Sequence, residues 1–185
     1  MTDTLQAGGV RREDRIKVWD PAVRVFHWSL VTAFAVAYFT GDEAETVHHW
    51  AGYIALALIG LRLVWGVIGT RHARFTDFVP RPAQLQAYMR QMLRGREPRY
   101  LGHNPAAAMM ILFLLLATTV IGVSGWLLTT DWGWGSELLE ELHEGTVNIT
   151  VVAIVLHVGA AIYESIHHRE NLIRSMFTGY KRAGK

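Results

Sequence analysis

Nine histidines stand at positions 27, 48, 49, 72, 103, 143, 157, 167 and 168, and cysteine is absent. Neutral imidazole is the commonest metal ligand among side chains. The missing thiols exclude disulfides, thiolate-held iron–sulfur clusters and the C-x-x-C-H attachment of c-type haem, so any cofactor here is held without a covalent or thiolate link. His143 and His157 carry the most informative spacing, 14 residues, with "VNITVVAIVL" between them. On a helix that separation is about 21 Å along the axis and returns the side chain to within roughly 40° of the same face. A titratable group is costly in so apolar a stretch, and two on one face of one helix imply a shared task.

The elements that must hold these residues follow from hydropathy. The chain has 185 residues, a length typical of one domain, and 51% of them are apolar. Four windows are almost free of charge: Val25–Thr40, Ala51–Gly69, Ala106–Thr130 and Thr146–Tyr163. With their flanks each reaches about 17–25 residues, enough at ~1.5 Å per residue to cross a hydrocarbon layer of ~30 Å. Four transmembrane helices are predicted, the first beginning near Pro21, which suits a first helical turn. A water-soluble bundle would need four helices with almost no polar face. The fold class expected is therefore all-α, an integral membrane four-helix bundle spanning residues 19–176. Residues 1–18 are polar and lack the apolar core of a signal peptide. They are read as a cytoplasmic tail, and residues 177–185 as a second one.

Charge orients the bundle. The N-terminal region carries Arg11, Arg12, Arg15, Lys17 and Arg24, the long connection after the second helix carries seven arginines, and the C-terminal region carries five more basic residues. The two remaining connections, 41–47 and 131–145, hold only acids. Thus 17 of the 18 basic residues fall on one side, which the positive-inside rule assigns to the cytoplasm. A multi-pass membrane protein with both termini cytoplasmic is expected; nothing points to nucleic acid. Within the long connection, Arg81–Gly95 places Leu85, Met89, Met92 and Leu93 at helical spacing, and it is read as an amphipathic helix lying on the inner lipid surface. On the other side Trp132 and Trp134 suit the interfacial belt, beside acids that form either a solvated rim or a docking face for a periplasmic partner.

Topology then assigns depths. His27 falls about two turns into the ascending first helix, level with His157. His48 and His49 begin the descending second helix, and either is level with His143. Two histidine pairs at two depths match two stacked haems, each iron taking one imidazole from either side of the porphyrin, within the cavity of a four-helix bundle. Arg62 is the one basic residue in a membrane window; it meets a propionate of the inner haem or reaches out to the inner surface. Gly52 and Gly159 leave room for a flat macrocycle or for close helix packing. His72, His167 and His168 stand among arginines and are read as solvated.

The segments "VWDPAVRVFHW", "VHHWAGYIALALIGLRLVWGVIG", "ARFTDFV", "LGHNPAAAMMILFLLL" and "LHVGAAIYESIHHRENLIRSMFTGYKR" cover most of Lys17–Arg182. In these the chain resembles the bacterial di-haem membrane cytochromes b, of the cytochrome b-561 type and of the nickel–iron hydrogenase cytochrome b subunits. The resemblance implies a bacterial inner (cytoplasmic) membrane, two b-type haems and electron transfer between membrane quinone and a periplasmic redox partner, a cytochrome or a hydrogenase-type subunit. It implies His27, His48, His143 and His157 as axial ligands, selecting His48 over His49 by its distance from Gly52. The pairs are then His48–His143 for the outer haem and His27–His157 for the inner. The chain lacks the extra segments of longer hydrogenase-type subunits. His103 and Asn104 open the third helix near the inner level and suit a quinone site, although Asn104 before Pro105 equally suits a helix cap. Two rivals to the electron-transfer subunit are a stand-alone quinone oxidoreductase oxidising a small periplasmic donor such as superoxide, and a non-haem transporter using the same histidines.

Overall fold

The computed structural model describes residues 15–41 and 43–183. The order of elements is β1 (Arg15–Lys17), α1 (Pro21–Thr40), α2 (Glu45–Ile68), α3 (Phe75–Phe78), α4 (Pro82–Met92), α5 (Pro105–Leu128), α6 (Glu137–His167), α7 (Leu172–Thr178) and β2 (Tyr180–Arg182). Four helices, α1, α2, α5 and α6, are long and apolar enough to cross a membrane. The predicted spans are all present, and the first begins at Pro21 as expected. Helix α6 has 31 residues, about 46 Å at 1.5 Å per residue. It overruns a hydrocarbon layer of ~30 Å, so its acidic first turns project beyond one end.

The sequence explains where these helices start. Asp20 caps α1 by accepting from the Val23 N–H at 2.8 Å, with Pro21 in the first turn. Asn104 caps α5 by accepting from the Ala107 N–H at 2.7 Å, again followed by proline. Each satisfies a backbone donor that the helix itself cannot. The long helices pack as successive pairs, α1 on α2, α2 on α5 and α5 on α6. Their seams are built from small residues: Ala33, Ala51, Ala55, Ala117 and Ala153 are buried, as are Thr118, Ser124 and Thr150. Small side chains let backbones approach where no hydrophobic effect drives helices together. The buried hydroxyls return their protons to their own helices, Ser124 to Val120 O and Thr150 to Thr146 O, both at 2.7 Å. Large apolar side chains such as Phe39, Leu61, Val67, Leu116 and Val155 face outward, the arrangement a lipid solvent favours.

One end of the bundle is basic and carries the shorter elements. There β1 pairs antiparallel with β2, Arg15 opposite Arg182 and Lys17 opposite Tyr180. Gly179 ends α7 at φ 86, a left-handed conformation, and its carbonyl accepts from the N–H groups of both Val18 and Trp19 at 2.9 and 3.1 Å. Trp19 is buried and donates to Ser175 Oγ at 3.2 Å, and Trp28 stacks on Phe177 at 4.2 Å. β1 and β2 lie outside residues 19–176, and residues 1–14 and 184–185 of the two expected tails lie outside the described residues. The expected helix in Arg81–Gly95 is α4. It packs on α5, and its buried residue is Tyr88, whereas Leu93 lies beyond the helix end and is 82% exposed. The apolar spacing located the helix but not its buried residue, because the Tyr88 hydroxyl finds a partner on another helix, Glu164 Oε1 of α6, at 2.9 Å.

Candidate cofactor-binding site

At the acidic end His48, the fourth residue of α2, and His143, the seventh of α6, face each other with ring centroids 6.1 Å apart. The His48 Nδ1 lies 2.9 Å from the carbonyl of Ala37 in α1. The His143 Nδ1 lies 3.0 Å from the carbonyl of Ile121 and 3.2 Å from Ser124 Oγ, both in α5. A carbonyl only accepts, so both rings carry hydrogen on Nδ1, and each Nε2 keeps its lone pair for a ligand. Imidazole nitrogens bind first-row metals at about 2 Å. Two such bonds in line, with the ring radii added, give centroids about 6 Å apart, close to what is seen. His49 instead lies beside Tyr53.

Helix α5 supplies what the sequence reading missed at this level. A Cβ on Gly125 would come within 2.9 Å of His143 Cε1, so only glycine lets that ring seat against α5. The signal was the run of small residues in "IGVSGW", read as plain helix. Gly52 and Gly159 do not make close helix contacts, since a Cβ at either meets nothing within 4 Å. Gly159 follows His157 by two residues, about 200° around the helix, so it lies on the opposite face from that ring. Gly52, four residues after His48, shares its face.

Toward the basic end, His27 of α1 packs edge-on to Trp28 at 5.0 Å, and its buried Nδ1 has no hydrogen-bond partner. His157 of α6 lies within electrostatic reach of it. Arg62 is 5% exposed and does not reach out to solvent. Its Nη2 donates to Ala73 O at 3.0 Å and its guanidinium lies 5.1 Å from the Phe75 ring centroid, while buried Nη1 has no partner. His103 is held between Trp19 and Phe78, at centroid distances of 4.5 and 5.0 Å, with Nδ1 buried and unpartnered. Burial, followed by the nearby cations Lys181 and Arg62, pushes its pKa down to about 3, so the ring is neutral. Asn104 has both ends of its amide engaged: Oδ1 caps α5, and Nδ2 donates to Glu164 Oε1 at 2.8 Å.

His167 is exposed, as expected of a solvated side chain, and His168 is partly buried, but each has an acid beside it. His167 Nε2 lies 3.4 Å from Glu97 Oε1, and His168 Nε2 lies 3.1 Å from Glu164 Oε2. Glu164 stands four residues before His168 on α6, whereas Glu97 comes from the connection before α5 and is invisible beside "HHRE".

The donor set therefore fits a haem at the acidic level on its own geometry: two imidazoles from different helices, each with its tautomer set and one nitrogen open. The family of prokaryotic cytochrome b561 matches residues 18–179. The chain belongs to that family and is a haem-binding, b-type cytochrome of electron transport in a bacterial membrane. Among its relatives, a probable Ni/Fe-hydrogenase B-type cytochrome subunit of Rhodobacter capsulatus is 26% identical, the alignment covering 93% of this chain and 83% of the relative. The corresponding subunit of Azotobacter vinelandii is 24% identical over 93% and 90% of the two chains. The probable Ni/Fe-hydrogenase 1 B-type cytochrome subunit of Escherichia coli K12 is 22% identical over 89% of each. No solved structure matches the chain. Family membership sets aside the non-haem transporter.

Proposed function

We propose that the chain is a di-haem cytochrome b that passes electrons between membrane quinone and a hydrogenase-type redox subunit docked at its acidic, periplasmic end. The observation that carries this reading is the His48–His143 pair, with rings 6.1 Å apart and both Nδ1 atoms tied to backbone carbonyls. His48 and His143 would hold the outer haem, His27 and His157 the inner one. Bound haem supplies one-electron ferrous–ferric chemistry.

The remaining work falls to the chain's own residues. The Nδ1–H donors to Ala37 O and Ile121 O orient the rings and raise the basicity of Nε2. The apolar helices keep water from the ligands, and Arg62 offers unpartnered Nη1 to an inner propionate. Neutral His103 offers its buried Nδ1 to a quinone oxygen at the basic, cytoplasmic end, while Asn104 holds the start of α5 beside it. Helix α4, with exposed Arg90 and flanked by exposed Arg81 and Arg94, would lie along the inner lipid surface. The relatives named as hydrogenase subunits favour a hydrogenase-type partner over a small diffusible donor.

The test is haem stoichiometry and the reduced-minus-oxidised spectrum of the purified protein. Two haems per chain are expected, with His48→Ala or His143→Ala removing one and His27→Ala or His157→Ala removing the other. An unchanged haem count in any of these variants refutes that ligand. Co-purification of a soluble redox subunit supports the partner assignment; a chain that reduces quinone fully with a small donor alone refutes it.

A further inference from the structure

We propose that Glu97, His167 and His168 form a binding site for a divalent transition-metal ion at the basic end, with Glu164 as an additional carboxylate. Glu97 lies in the connection between α4 and α5, and its side chain is wholly buried. Oε1 is approached by the Tyr163 hydroxyl at 3.2 Å and by His167 Nε2 at 3.4 Å, but Oε2 is buried with no hydrogen-bond partner among the described residues. A buried carboxylate left half-satisfied is strongly unfavourable, and 3.4 Å is long beside the 2.7–2.9 Å of a good charge-assisted hydrogen bond. This carboxylate lacks a cation at close range.

The same spot gathers nitrogen ligands. His168 Nε2 is buried without an aligned hydrogen bond, its near neighbour being Glu164 Oε2 at 3.1 Å. One ligand atom each from Glu97, His167 and His168 lie within 4.8 Å of one another. Bonds of about 2 Å to a shared ion require ligand atoms about 3–4 Å apart. Closing the set therefore takes shifts of an ångström or so, and the His167 side chain, one-third exposed, is free to make them. That exposed ring also opens a path for the ion. Arg99, two residues after Glu97 in the chain, is engaged by Glu170 through Nη2 at 2.9 Å. Two imidazoles with carboxylate oxygens suit zinc and its neighbours, not magnesium or calcium, which prefer all-oxygen sets. A bound ion would join the connection before α5 to the end of α6.

The probe is zinc, added to chelator-washed holoprotein purified without a histidine tag and then dialysed. Elemental analysis is expected to find one zinc per chain. Glu97→Gln, His167→Gln and His168→Gln should each weaken zinc binding roughly tenfold or more, and Glu164→Gln by about tenfold, with the haem spectrum unchanged as the check on folding. The unaltered protein gives an independent readout: zinc should slow acylation of His167 by diethyl pyrocarbonate, mapped by mass spectrometry. No retained zinc, retention indifferent to all four substitutions, or no protection of His167 would overturn the site and leave an internal cluster of ion pairs.

Discussion

At the scale of single residues, the ligand geometry depends on neighbours that have no chemistry of their own. His143 has its Nε2 free because Ile121 O and Ser124 Oγ take up Nδ1, and its ring lies where a Cβ on Gly125 would be, 2.9 Å from Cε1. The obstruction is a ring wedged between two helices, which cannot yield like the end of a flexible side chain. Gly125→Leu should therefore displace His143 and release the haem of the His48–His143 level, while His27 and His157, nearer the other end, keep theirs. Haem per chain from the alkaline pyridine spectrum is expected to fall by about half, with helix content by circular dichroism retained. Full haem content in that variant would show that His143 does not bind from this position. Histidine type and spacing made the ligand candidates legible in the sequence. Gly125 was not, because a small residue in an apolar helix is ordinary packing until the partner ring is placed.

At the scale of elements, the four long helices were legible for a simple reason: hydrocarbon imposes a length and forbids charge, and both are written in composition. The basic end was harder to read because its contacts join segments distant in sequence. Trp19 binds Ser175 across 156 residues, and "VWDP" gave no hint that Asp20 caps α1 while also accepting from Thr70 and Trp65. Within the expected tail, residues 177–185, β2 is anchored by Glu170. This carboxylate is almost buried, accepts from Arg99 Nε and Nη2, and accepts from the Arg182 N–H at 2.7 Å. Burial alone would raise its pKa, but the Arg99 and Arg182 hydrogen bonds prevail and hold it below the ordinary value of 4.5. The unfolded chain then binds the proton first as pH falls, so the stability Glu170 contributes is present above about 4.5 and is lost below it, through the lowered native value. Glu170→Gln should lower the unfolding midpoint at neutral pH, at a cost of about 1–3 kcal/mol, and flatten its decline in acid. Parallel acid profiles for variant and parent, measured by thermal unfolding in detergent, would exclude Glu170 as an anchor.

At the scale of the whole molecule, function depends on which end faces which compartment. The sequence argument is the charge asymmetry: 17 of 18 basic residues lie at one end, and only acids lie in the opposite connections. The structure adds a material difference between the ends. The basic end is braced by α3, α4, α7 and the β1–β2 ribbon, whereas the acidic end consists of two short turns with Trp132 and Trp134 exposed. On the proposed function, a redox subunit docking beside His48 and His143 would need the open, acidic end outside, and a quinone near His103 would draw its protons at the braced end. The chain contains no cysteine, so a single introduced thiol is a unique label. Trp134→Cys, in the exposed turn before α6, should react with a membrane-impermeant maleimide on intact spheroplasts. Arg94→Cys, just beyond α4 and also exposed, should react only after the membrane is opened. The opposite pattern would invert the molecule, place the His48–His143 level next to the cytoplasm, and require the redox partner and the quinone to exchange sides.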